Sequence, residues 1–165
     1  SGDPRALHSF PTRRSSDLNL KFFSAAKLCQ LCIPGMQRAG WGRIINTLNS
    51  AAKAPGAKTC PTSAARAAGM AMTKALATEF ASDGILVNAL NTGFLVSHQW
   101  RTRWQSESTG KTFDEFVESI GQNIPIGRMG EAHEFANLAL FLASDGASYL
   151  TGASINIDGG LTPVV

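Results

Sequence analysis

Cysteine is scarce: three residues in 165, too few for a disulfide framework. Cys29 and Cys32 form a CxxC with no second pair, which gives no support for a zinc site or a redox centre. On a helix the two fall on one face, and both are expected to be buried there as small apolar residues. Free thiols point to a reduced, cytoplasmic setting. Charge of either sign is also thin, at 16% of residues, with a formal net charge of +3. Part of that excess lies in the first segment, where Arg5, Arg13 and Arg14 stand against Asp3 and Asp17. No basic face is implied, and nucleic acid is not an expected partner. No apolar run reaches the roughly twenty residues that cross a bilayer, so no membrane partner is expected either. Internal repeats and low-complexity tracts are missing. What remains is 44% hydrophobic residues in a chain long enough for one domain with a proper core.

Residues 1–18 lack apolar periodicity. The run from His8 to Leu18 (HSFPTRRSSDL) resembles translated sequencing-adapter DNA, and as a targeting peptide the segment has no apolar middle. It is expected to be non-native or disordered, with the folded unit covering residues 19–165.

From Leu20 to Met36, apolar residues at Leu20, Phe23, Leu28, Leu31, Cys32 and Met36 alternate with Lys21, Lys27 and Gln30. The spacing predicts one amphipathic helix that ends near Gly35 or Gly40. Ile44 and Ile45, closed by Asn46 and Thr47, predict a buried strand. A loop with Pro55 and Gly56 follows. Pro61-Thr62-Ser63 then opens a long alanine-rich helix up to Phe80. Ile85 to Leu90 reads as a second buried strand, parallel to the first across a right-handed helical crossover. Residues 98–111 (HQWRTRWQSESTGK) are polar without periodicity, expected to be an irregular segment that acts as a mobile lid or is a solvated loop. Helices are predicted over Phe113–Ile120 and Glu131–Ser144, and a last strand over Ala153–Ile157. The alternation predicts an α/β parallel sheet, with ligands at the carboxyl edge of its strands.

Several stretches together resemble the short-chain dehydrogenase/reductase family. They are Gly42-Arg43-Ile44-Ile45-Asn46, Arg66-Ala67-Ala68 with Thr73 to Ala77, Val87-Asn88-Ala89 before Gly93-Phe94, Pro125-Ile126-Gly127-Arg128, Phe141 to Asp145, and Tyr149-Leu150-Thr151-Gly152 before Asp158-Gly159-Gly160. The resemblance covers about 147 residues. It implies the C-terminal part of a doubly wound, Rossmann-type parallel sheet. The family's first strands and its glycine-rich loop are missing here, since nothing upstream reads G-x-G-x-x-G after a strand.

The resemblance implies an NAD(P)-dependent oxidoreductase that transfers hydride between nicotinamide and a carbonyl or alcohol, like a 3-oxoacyl reductase. NAD or NADP would be the cofactor, and the residues that discriminate between them are not in the chain. The alternative is a non-catalytic relative that binds a nucleotide or a partner subunit. Position by position, the family's tyrosine becomes Thr62, its lysine Arg66, its serine Asn49 (with Ser50 beside it) and its helix asparagine Lys21, with Asn19 two residues away. An aliphatic hydroxyl is a far weaker acid than a phenol, so Thr62 can donate a hydrogen bond but cannot rest as an oxyanion; it also suits a plain helix start. Arg66 can hold ribose hydroxyls or phosphate, and Asn49 can face a carbonyl oxygen. Lys53, Lys58 and Cys60 are nearby candidates for a proton donor. On the cofactor side the resemblance points to Asn91, Thr92, Gly93, Leu95 and Ser97, with Thr92 in the place of a proline and Gly93 permitting close backbone approach. It also implies a homodimer or homotetramer, for which the small-residued helix after Ala64 is suited.

Overall fold

The computed structural model describes residues 15–107 and 110–164. Its sheet has three parallel strands in the order β1-β2-β3. β1 (Gly42–Asn49) pairs with β2 (Ile85–Thr92) from Gly42 against Ile85 to Asn49 against Thr92. β2 in turn pairs with β3 (Ser154–Ile157), ending with Thr92 against Ile157. Asn49, Thr92 and Ile157 therefore form one row at the carboxyl edge. β1 runs two residues past Thr47, because Leu48 is buried and β2 offers partners to the end. Asn49 thus sits on the strand end rather than in the loop.

Side chains alternate along β2, and both of its faces are covered. On one face Ile85 and Val87 pack with Cys29, Ile33 and Ala77, and on the other Leu90 packs with Leu142 and Ala147. The first face is closed by α2 (Ser24–Ala39) and α3 (Cys60–Phe80), the second by α6 (Ala132–Ala143). This is the expected α/β architecture, a parallel sheet with helices on both sides. α3 lies close to β1: a Cβ on Gly69 would come within 2.9 Å of Leu48 Cδ2. Asn46 Nδ2 donates to Thr73 Oγ1 at 2.9 Å, and Thr73 Oγ1 donates to Gly69 O at 2.8 Å, so the polar end of β1 is partly tied to that helix.

Three expectations are corrected. Residues 1–14 lie outside the described residues, but α1 (Ser15–Leu18) is helical and leads through a π-helical turn (Asn19–Phe23) into α2, so the rod starts inside the segment set aside above. Along that rod the core takes Cys29 and Ile33, one turn apart, whereas Cys32, Leu20, Phe23, Leu28 and Leu31 are exposed. Cys29 and Cys32 therefore do not share a buried face. The reason is that α2 offers the sheet a narrow stripe, and most of its apolar residues lie outside it.

The third correction concerns residues 98–111. His98–Glu107 is a helix, α4, and Ser108 and Thr109 lie outside the described residues. Trp100 and Trp104, four apart, supply the periodicity. Trp100 packs edge-on against Phe94, at 5.1 Å between ring centroids, and leans on Phe116 of α5 (Phe113–Gly121). Trp104 meets Phe113 and donates Nε1–H to Lys111 O at 2.8 Å. Aromatic anchoring, with an Arg103–Glu107 pair one turn apart, holds as a helix what composition alone reads as loop.

Candidate active site

At the start of α3 two hydroxyl residues have different tasks. Thr59 stands at the N-cap; its backbone carbonyl accepts from Ser63 N and its Oγ1 from Ser63 Oγ at 2.7 Å. Thr62 lies within the first turn and does not cap the helix. Its Oγ1 accepts from Lys21 Nζ at 2.7 Å, a contact between residues 41 apart in sequence. Lys21 projects from the π-helical turn and also pairs with Asp17 Oδ1 at 2.6 Å. Asn19, the other residue weighed for this place, is exposed, and its backbone carbonyl accepts from Ser24 Oγ.

One turn beyond Thr62, Arg66 is half-buried, and its Nε is buried with no partner among the described residues. Burial pushes the guanidinium below its ordinary range, and the Asp17 carboxylate works against that. The group remains a cation at any physiological pH. Asp17, Lys21, Thr62 and Arg66 are thus joined by contact, charge or a single helical turn. Asp17 escaped the sequence reading because it lies in the segment excluded from the fold. Its spacing of four from Lys21 was the available signal.

At the sheet edge, Asn49 Oδ1 is buried with no partner among the described residues, and Thr92 Oγ1 donates to Leu48 O at 3.0 Å. Asn91 and Gly93 of the cofactor-side set turn toward β3 and the turn after it, and Leu95 and Ser97 lie further along the chain. Asn91 is fully buried, donating Nδ2 to Ser154 Oγ and Asn156 Oδ1. Gly93 donates N–H to Ile157 O, and a Cβ there would lie 2.5 Å from Asp158 Cβ and 2.6 Å from Asp158 Cα. The close approach that demands glycine is therefore made by the turn after β3. Leu95 bridges Gly130, and Ser97 is exposed at the start of α4, where its carbonyl accepts from Trp100 N. Among the proton-donor candidates, Lys53 Nζ is bonded to Ser154 O at 2.7 Å and Cys60 is exposed. The one tyrosine, Tyr149, is fully exposed. Its neighbours Leu150 and Thr151 bond to Asn88 and Val87, in the first half of β2 and away from the carboxyl edge.

A family model described as enoyl-(acyl carrier protein) reductase matches residues 12–162. The chain belongs to the short-chain dehydrogenase/reductase family. This family member is 37% identical over 145 residues to the 3-oxoacyl-[acyl-carrier-protein] reductase FabG of Pseudomonas aeruginosa, covering 87% of the chain and 55% of that protein. It is similar in structure to the L-sorbose reductase of Gluconobacter frateurii complexed with NADPH and L-sorbose (TM-score 0.84, 30% identity, 90% of this chain and 58% of that one). It is similar also to an NADPH-bound short chain oxidoreductase of Pseudomonas aeruginosa described as containing an atypical catalytic center (TM-score 0.82, 33% identity, 92% of this chain and 58% of that one). The chain spans a little over half the length of each of these short-chain dehydrogenase/reductase relatives.

Proposed function

We propose that this chain is part of an NAD(P)-dependent oxidoreductase that moves hydride between nicotinamide and a carbonyl or alcohol carbon, with an altered proton relay. The observation that carries the reading is the Lys21–Thr62 contact beside Arg66, at the start of the crossover helix. The relatives support it: FabG is a 3-oxoacyl reductase by name, and both solved relatives hold NADPH. A 3-oxoacyl or similar carbonyl substrate is the class we favour, with NADP ahead of NAD.

The unpaired atoms fit such a cofactor. Asn49 Oδ1 is an acceptor and Arg66 Nε a donor, both buried and both unsatisfied, and leaving such groups unpaired is costly. A nicotinamide nucleotide carries ribose hydroxyls for the first and oxygens for the second. Bound there, it would supply or take the hydride. Arg66 orients the nucleotide, the Asn49 amide faces the carbonyl, and the Thr62 hydroxyl stands where the substrate oxygen needs a proton.

We also read the protein as a cytoplasmic homodimer or homotetramer. Among the described residues no helix is long and apolar enough to cross a membrane, and all three cysteines are free thiols. A groove between α2 and α3, lined by Phe23, Ile33, Met72, Leu76 and Phe80 and continued by exposed Leu28 and Leu31, offers an apolar face for a second copy.

The second reading, a non-catalytic protein that binds a nucleotide or a partner subunit, is favoured by the lack of a phenol at Thr62. Fluorescence titration of the full-length protein with NADPH and NADH, followed by turnover on a carbonyl panel, decides between them. Saturable binding with turnover supports the enzyme. Saturable binding without turnover, and turnover gained in Thr62→Tyr/Arg66→Lys, supports the second reading. No binding overturns both cofactor readings.

A further inference from the structure

We propose that Lys21 is the proton source of this site and that Thr62 is the hydroxyl through which the proton passes, an inference that rests on the oxidoreductase reading above. An ammonium only donates, so Thr62 Oγ1 must be the acceptor in its 2.7 Å contact with Lys21 Nζ. The hydroxyl proton of Thr62 is thereby left for another acceptor. The other threonines along α3 spend theirs on the helix itself: Thr73 donates to Gly69 O and Thr78 to Lys74 O, each four residues back. Thr62 makes no such bond, and among the described residues nothing takes its proton.

Lys21 is held by Asp17 on its own rod, and on α3 it meets Thr62 with Arg66 on the next turn. The π-helical turn that presents Lys21 is an uncommon geometry that recurs at functional sites. In reduction, the carbonyl carbon gains hydride from a dihydronicotinamide nucleotide, and the C=O π pair moves to oxygen. That oxygen takes the Thr62 proton while Thr62 Oγ1 takes one from Lys21 Nζ. An O–H bond forms on the product and an N–H bond breaks on Lys21. Thr62 ends with the hydroxyl it began with, and the neutral Lys21 amine is reprotonated from water. The weak acidity of an aliphatic hydroxyl is then no obstacle, because Thr62 never carries the full charge.

Two measurements on the full-length protein test this. In the nucleotide-free protein, ¹⁵Nζ NMR should show a lysine ammonium protected from solvent exchange, lost in both Lys21→Met and Thr62→Val; the absence of that signal in the unmodified protein overturns the proposal. Single-turnover reduction with NADPH over a carbonyl panel should fall by about a hundredfold or more in Lys21→Met and also in Lys21→Arg, with NADPH affinity unchanged. Arginine keeps the cationic tie to Thr62 but does not release a proton. If Lys21→Arg turns over within about threefold of the unmodified protein, Lys21 only clamps the rod to α3 and the proposal falls, while the oxidoreductase reading stands. If the unmodified protein reduces nothing in the panel, that reading fails and the relay with it.

Discussion

The corner where Lys21 meets Thr62 and the turn where β2 meets β3 are both rich in polar side chains, and the sequence reading gave both to the site. They are built differently. In the corner, two elements far apart in sequence touch through one hydrogen bond, and the Arg66 guanidinium Nε next to it has no partner. Along β2 and the turn after β3 most polar side chains are bonded, to β3, to the residues before it or within the turn after it, although Asn91 Oδ1 and Thr162 Oγ1 are buried without a partner among the described residues. Asn88 donates to Leu150 O and accepts from Ala153 N, Asn91 donates twice, and the Asp158 carboxylate accepts from Gly160 N and Thr162 N. Polar groups that satisfy one another hold a fold together, and a buried polar group without a partner is costly until something pairs with it.

That contrast can be broken by substitution. Asn88→Ala removes the partners of two backbone groups at once and should cost roughly 2–5 kcal/mol, read as a loss of midpoint in a denaturant melt. Gly93→Ala drives a methyl into Asp158 and should cost about 1–3 kcal/mol in the same melt, with nucleotide affinity following stability rather than leading it. Arg66→Met should behave in the opposite way. It removes a donor that has no partner, so the melt should move by less than about 1 kcal/mol. NADPH affinity should fall about tenfold, equivalent to ~1.4 kcal/mol for one charge-assisted contact.

The smallest effect is expected at the surface, where the Arg128 guanidinium grips Glu134 through two bonds of 2.8 and 2.7 Å. That grip, with a backbone bond from Glu131, lowers the carboxyl from 4.5 to about 2. The depressed folded value means the pair's contribution is fully present above about pH 4.5 and fades as pH falls toward 2. Melts over that window should therefore show the gap between the unmodified protein and Glu134→Gln closing with acid.

The architecture was legible because it is written in periodicity. Ile85 to Leu90 is an apolar run broken only by Asn88, since both faces of β2 are covered, and α3 shows a run of alanines at helical spacing. α4 was hidden because its order comes from Trp100 and Trp104 packing on Phe94 and Phe113, aromatic contacts to neighbouring segments and not an apolar stripe of its own. The rod was misread because its apolar residues outnumber those the sheet can cover, so the count was right and the face wrong. In the candidate site, the spacing of four between Thr62 and Arg66 could be read directly. That Lys21 completes the pair could be placed only through a resemblance, since 41 residues separate it from Thr62. Gly93, which the resemblance assigns to the cofactor side, has a packing requirement of its own against Asp158 that the sequence does not display.

The most direct measurement is the NMR chemical-shift change on adding NADPH to the isotopically labelled full-length protein. The account predicts that the largest changes fall on Lys21, Asn49, Thr62 and Arg66, while Asn88 and Asp158 barely move. Saturable binding that leaves those four residues unshifted and perturbs Asn88 and Asp158 instead would contradict it.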